Sequence, residues 1–305
     1  MRPHSDDKRA KRVKERSMLE LSSPQIQEKL LASAEKLPPF PDIIGKLTPL
    51  IQRMAPVHEI EAVIKFDQAI TARVLAISQS PYYTRRQPIH SLRDAILCLG
   101  QKQLIQVITV ACSARYFKAD GSGYDLREGE LWEHSVAVAL MAELVAQRTG
   151  LRDAFTVYTA ALLHDIGKTL LNLYVKDYFD ALLPLIQKEK VRFVDAERRL
   201  FGIDHQQLGA TIARRWRFPS EVATAIGYHH YPRETSENRE VAATVYVANR
   251  MVSGMGIGCG LDAFLQPNQD EVFVELGITS RMVEQFMADL LVVLDETKAF
   301  LMGPA

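Results

Sequence analysis

Five of the chain's eight histidines, His134, His164, His205, His229 and His230, fall between residues 134 and 230, each in a stretch with helical spacing of apolar residues. His134 shares a helical face with Val138, Met141 and Val145, His205 with Leu208, Gly209 and Ile212, and His229 with Val222, Ala225 and Ile226. An imidazole on such a face points inward, and a buried polar group is unfavourable unless something pairs with it. For one histidine alone, a hydrogen bond to the backbone suffices. When several helices deliver imidazoles to one interior, a metal ion is the partner that satisfies many of them at once. The chain must therefore adopt a fold in which these helices converge.

The densest part of this pattern is Ala161 to Lys168, ALLHDIGK. On a helix, His164 and Lys168 are four apart and Asp165 and Lys168 three apart, so all three lean toward one cleft. Gly167 keeps the surface between them low, which would let a ligand approach the backbone. The two oxygens of Asp165 can bridge two metal positions, with His205, His229 and His230 completing the second. A set rich in imidazole, with one carboxylate and no thiolate, suits Fe, Mn, Zn or Ni better than Mg or Ca, and one or two such ions are expected. Lys168 stands where it could meet a phosphoryl oxygen, although a solvated helix lysine explains it equally well.

The remainder reads as helices. Residues 1–20 form a solvated tail, with basic residues from Arg2 to Arg16 outnumbering acids and little to bury; a basic arm for nucleic acid is the sharper alternative, with no motif behind it. Apolar stripes follow at Ile26 to Leu31, Ile43 to Ile51 and Ile60 to Ile64, the first two separated by the helix-breaking Leu37 to Pro41 (LPPFP). Further helices are expected over Thr71 to Ser80, Leu92 to Leu99 (Ser91 as N-cap, Gly100 just past the end) and Gln103 to Ala114. The polar, glycine-rich Lys118 to Glu128 marks a boundary between an N-terminal helical lobe, residues 21–118, and a second lobe, residues 119–305. In the second lobe the apolar periodicity predicts helices at Trp132 to Arg148, Phe155 to Leu173, Tyr178 to Lys190, His205 to Trp216, Ser220 to Tyr228, Val241 to Met255 and Ser280 to Leu301, with Gly254 to Gly260 as a flexible connection. Sustained period-two alternation is weak throughout, so the fold class is all-α.

Composition excludes several classes. With 37 basic against 37 acidic side chains, no whole-molecule field favours nucleic acid or a membrane. Cys98, Cys112 and Cys259 are odd in number and scattered, which fits a reducing cytoplasm rather than a disulfide framework. No apolar run is expected to span a membrane.

The order His134, His164-Asp165 with Lys168, His205, then His229-His230 resembles the HD superfamily of metal-dependent phosphohydrolases. LPPFPDIIGKL, FDQAITARVLAISQS and QPIHSLRDAILCLG in the first lobe are similar to the HDOD family, in which an HD-like helical lobe is joined to an N-terminal helical lobe in bacterial signalling proteins. The resemblance covers roughly Leu30 to Asn249 and implies an all-helical fold and a role in signal transduction; many HDOD members have lost the metal ligands and act as regulatory or scaffolding modules. This chain keeps more of the histidine set than is typical, approaching the HD-GYP phosphodiesterases, and Glu130 falls where those enzymes can carry an acid. The late aspartate of an HD site is Asn249 here (YVANR), a neutral oxygen in place of a charged one, and the GYP loop is missing after HHYPRE.

Two functions follow from this pattern. The first is a metal-binding regulatory module for a signalling protein or nucleotide ligand, with metal held by His134, His164, Asp165, His205, His229, His230 and Asn249. The second is an active phosphohydrolase or phosphodiesterase acting on a nucleotide or cyclic dinucleotide, with Asp165 and Lys168 as its catalytic groups.

Overall fold

The computed structural model describes residues 23–79, 89–117, 121–151, 153–261 and 269–301. The basic tail lies outside them. No strand occurs among the described residues, as the missing alternation predicts.

The chain opens with α1 (Ser23–Lys36), then α2 (Ile43–Gln52), α3 (Val57–Ile64), α4 (Gln68–Ser78) and α5 (Leu92–Ser113). Ile43, Ile44 and Leu47 of α2, Ile60 and Ile64 of α3, and Ile70, Val74 and Ile77 of α4 are buried, and all three helices pack on α5. The Asp67 side chain caps α4 by accepting from the Ile70 N–H, and Ser91 caps α5 by accepting from the Asp94 N–H. Gly100, at φ 73°, breaks α5 where the sequence places the end of one helix and the start of the next. The stretch Leu92–Phe117 is long and apolar enough to cross a membrane, contrary to the sequence reading, but most of it is core surface packed between the other helices.

Beyond the 3-10 turns at Ala114–Phe117 and Ser122–Tyr124 come α6 (Glu130–Thr149), α7 (Ala154–Leu163), α8 (Lys168–Asp177), α9 (Phe179–Gln187), α10 (Phe193–Phe201), α11 (His205–Arg215), α12 (Ser220–Tyr228), α13 (Arg239–Gly254), α14 (Asp270–Glu275) and α15 (Ser280–Leu301). The centre is α7, a helix with no polar face, packed against α6, α12 and α13, while α11 lies along α12. Helix α1 packs on α8, α10 and α11.

The LPPFP segment ties distant parts of the chain together. The Pro38 carbonyl accepts from Trp216 Nε1 at 3.0 Å and the Pro39 carbonyl from the Tyr116 hydroxyl at 2.9 Å. Phe40 packs against Tyr116, Trp216 and Phe218.

Two sequence expectations change here. The single helix expected over Phe155 to Leu173 is two, α7 and α8, joined by a tight turn at His164 to Gly167. Gly167 does not open the backbone to a ligand: a Cβ there would collide with the His205 carbonyl oxygen and lie 2.9 Å from the Gly209 nitrogen, so its bareness lets α11 close on the turn. We therefore expect Gly167→Ala to cost about 1–3 kcal/mol or more through overpacking. The measurement is the urea midpoint, which falls at unchanged slope.

A candidate metal centre

The α7–α8 turn, the start of α11, the end of α12 and the facing sides of α6 and α13 meet around one carboxylate. Asp165 is fully buried, with Oδ2 2.6 Å from Lys168 Nζ, 3.3 Å from His164 Nε2 and 4.0 Å from His134 Nε2. Its other oxygen, Oδ1, lies 3.6 Å from both His205 Nε2 and His229 Nε2 and has no hydrogen-bond partner. His230 joins through His205, their Nε2 atoms 3.0 Å apart. Asn249 joins through His134, with Oδ1 3.1 Å from His134 Nε2. Every sequence-derived candidate, His134, His164, Asp165, Lys168, His205, His229, His230 and Asn249, is thus brought to one buried cluster. Glu130 is not; its carboxylate accepts from the Arg127 N–H at the start of α6.

The imidazoles are not free to choose their tautomers. His164 Nδ1 lies 2.7 Å from the Ala161 carbonyl, His229 Nδ1 2.8 Å from the Ile226 carbonyl, His134 Nδ1 2.9 Å from the Ile257 carbonyl and His205 Nδ1 2.7 Å from Glu197 Oε2. Those oxygens only accept, so each Nδ1 carries its hydrogen outward, and in the neutral ring each Nε2 presents a lone pair inward. Four lone pairs and a carboxylate therefore face one another, and Asn249 Oδ1 is a further acceptor opposite His134. The Nε2 atoms of His164 and His229 have no hydrogen-bond partner. An arrangement of acceptors facing acceptors needs positive charge between them, and Lys168 supplies it at Oδ2.

The electrostatics agree. Burial, reinforced by His164, lowers the pKa of His134 from 6.5 to about 4. Burial and the neighbouring imidazoles push His229 and His230 well below the ordinary value. For His205 burial also opposes charge, but the Glu197 carboxylate outweighs it and raises the pKa. Asp165 would be raised by burial, yet His164 and Lys168 beside it hold it well below the ordinary carboxylate value. Two groups could each hold an ion: His134, His164 and Asp165, and His205, His229 and His230, the donor atoms of each lying within 4.8 Å of one another.

Sequence reasoning missed the supports. Glu197, on α10, is fully buried; it accepts from the His205 N–H and ring and from the Tyr124 hydroxyl at 2.6 Å. Its signal was an acid on the same helical face as Phe193 and Phe201. The Gly254 to Gly260 connection is not a loose linker: the Ile257 carbonyl holds His134, and a Cβ on Gly258, at φ 55°, would collide with the Glu130 carbonyl oxygen and lie 2.8 Å from His134 Cβ.

The sequence profile of the HDOD domain matches residues 37–232, well over half of the chain. The chain belongs to the HDOD family. A solved HDOD domain protein of unknown function from Geobacter sulfurreducens is 28% identical, with TM-score 0.70 and coverage of 90% of this chain and 96% of its own. An uncharacterized protein of Treponema pallidum is 22% identical over 234 residues, 73% of this chain and 44% of that protein. Ribonuclease Y of Thermus thermophilus is 33% identical over 116 residues, 38% of this chain and 15% of that enzyme. This HDOD protein thus spans less than half the length of those curated relatives.

The lowered imidazole pKa values give a pH prediction for metal-free protein. Between the ordinary 6.5 and about 4 for His134, the unfolded chain binds more protons than the folded one, so stability rises with pH and is lost as pH falls through that window. His229 and His230 act in the same direction, and His205, with its raised value, opposes them. Thermal melts at stepped pH should show the melting temperature dropping below about pH 6.5.

Proposed function

We propose that this HDOD protein is a metal-binding regulatory module of signal-transduction type, in which the buried His/Asp cluster holds one or two transition-metal ions (Fe, Mn, Zn or Ni) and the protein takes a protein or nucleotide ligand. One observation carries the reading: the two Asp165 oxygens face different histidine groups, each with Nε2 lone pairs turned inward. His134, His164 and Asp165, with Asn249 alongside, would hold one ion. His205, His229 and His230, with the other Asp165 oxygen, would hold the second. The Ala161, Ile226 and Ile257 carbonyls and Glu197 would orient these ligands, as outer partners of metal-bound histidines do. Bound there, an ion would join α6, α7, α11 and α12, and it would offer Lewis acidity to any phosphoryl group that reached it.

The second reading is an active phosphohydrolase or phosphodiesterase on a nucleotide or cyclic dinucleotide. Lys168 favours it, as does the partial match to ribonuclease Y. Three features count against it. Lys168 Nζ is paired with Asp165 and lies 5.4 Å from the Tyr124 ring centre. The ligand set is buried, with the Ile257–Gly258 segment packed over His134. Asn249 also brings a neutral oxygen where a carboxylate would add charge. With three dispersed cysteines and no net charge, we place the module in the cytoplasm, without a membrane or nucleic-acid partner.

Protein purified from cells supplied with iron and manganese should contain close to stoichiometric transition metal by elemental analysis, and His164→Ala should lose most of it. Glu197→Gln should weaken metal binding about 10–100-fold through loss of its hold on His205. Metal-free wild-type protein of normal stability would sink the reading. Turnover of bis(p-nitrophenyl) phosphate that vanishes in Asp165→Ala would decide for the hydrolase.

A further inference from the structure

The connection that leads from the first lobe into α6 carries an aromatic side chain into the interior. Tyr124, in the 3-10 turn at Ser122–Tyr124, is only 1% exposed, although the sequence around it is polar and glycine-rich. A buried tyrosine needs a partner for its hydroxyl. That partner is Glu197: the Tyr124 hydroxyl donates to Oε1 at 2.6 Å, the short length expected when a carboxylate accepts from an O–H. Oε2 of the same carboxylate accepts from the His205 N–H at 3.1 Å and from the ring Nδ1 at 2.7 Å. Among the described residues, Tyr124 is the one donor to Oε1.

This division of the two oxygens matters because the last torsion of a glutamate is intrinsically broad. A carboxylate held at one oxygen can swing about that torsion, whereas one held at both presents a fixed acceptor direction to His205. The connection is shaped to keep Tyr124 in place. The Gly123 N–H donates to Asn172 Oδ1 at 2.7 Å, and a Cβ on Gly123 would collide with the Asn172 carbonyl oxygen, so the chain lies directly on α8. The Tyr124 ring packs on Phe193, one turn before Glu197 on α10, with ring centres 5.5 Å apart. Lys168 Nζ, the partner of Asp165, lies 5.4 Å from the centre of the same tyrosine ring. One side chain from the connection thus touches the supports of both Asp165 and His205.

We infer that Tyr124 is a positioning residue for the metal centre: its hydroxyl fixes the Glu197 carboxylate, and through it the direction in which His205 Nε2 meets the ion shared with His229 and His230. The inference rests on the metal-binding reading and deepens it, since it makes the link between the two lobes part of the centre. A shift of Gly123 and Tyr124 away from α8 would loosen His205 without touching any ligand.

The test begins with Tyr124→Phe, which removes the hydroxyl and keeps the ring against Phe193 and Lys168. In titrations of metal-free protein with Zn²⁺ against a competing chelator, its affinity should fall about tenfold, the low end for losing an outer partner of a metal-bound histidine. In the Glu197→Gln background the same change should cost less than about twofold more, because the hydroxyl acts only through that carboxylate. Asn172→Ala, which releases the Gly123 N–H and leaves the hydroxyl in place, should weaken Zn²⁺ binding in the same direction. A second readout needs no metal: in amide hydrogen exchange of the metal-free protein, Tyr124→Phe should speed the His205 N–H by a larger factor than the amides of α7. A loss of overall stability alone would speed both alike. If the wild-type protein takes no Zn²⁺, the metal-binding reading fails, and the exchange rates still decide whether Tyr124 holds His205. The inference is overturned if Tyr124→Phe or Asn172→Ala binds Zn²⁺ like the wild type while the wild type binds it, if the loss in Tyr124→Phe adds in full to that of Glu197→Gln, or if the His205 amide gains no more speed than those of α7.

Discussion

The buried carboxylate of Asp165 sets the terms for everything packed around it. An ionised acid cannot stay in an apolar interior without compensation, and removing one partner of a buried pair is strongly destabilising. Lys168, three residues on, provides one compensating charge at 2.6 Å. The chain turns sharply at the end of α7 where this pair forms, and the turn requires a residue without a side chain at Gly167, where the His205 carbonyl comes to rest. The position of α11, and with it His205, follows from that contact.

The ring of histidines is aimed from outside. His164 and His229 stand at the C-terminal ends of α7 and α12, and each donates Nδ1–H to a carbonyl three residues back. Helix ends leave carbonyls short of backbone donors, and although the Ala161 carbonyl also accepts from the His164 N–H at 3.4 Å, the bond from the ring is what fixes each imidazole. His134 and His205, on longer helical stretches, take their outer partners from elsewhere in the chain, Ile257 and Glu197. The inward direction of all four Nε2 atoms is thus imposed by groups on the outside of the cluster. The same logic explains why the Gly254 to Gly260 segment is shaped to lie against His134.

Much of this was legible in the residues. The apolar spacing around His134, His205 and His229 marks them as inward-facing, and ALLHDIGK marks the carboxylate they surround. The all-helical fold follows from the lack of alternation, and Ser91 and Gly100 punctuate α5 where their capping and left-handed preferences place them. Glu197 was not legible, because an acid flanked by Phe193 and Phe201 on one face looks like any half-exposed helix acid until the histidine that accepts its company is in place. Leu92–Phe117 shows the converse: its apolarity alone does not say whether lipid or protein surrounds it.

By itself the sequence determined which side chains would be carried inward, since helical period and apolar neighbours decide a residue's face without reference to any other segment. It could not determine which atoms those side chains would meet. Whether Gly167 admits a ligand or a carbonyl, and whether Ile257 is linker or hydrogen-bond acceptor, depend on contacts between segments tens to more than a hundred residues apart. Those contacts are set by how the helices pack, and only the tertiary structure decided them.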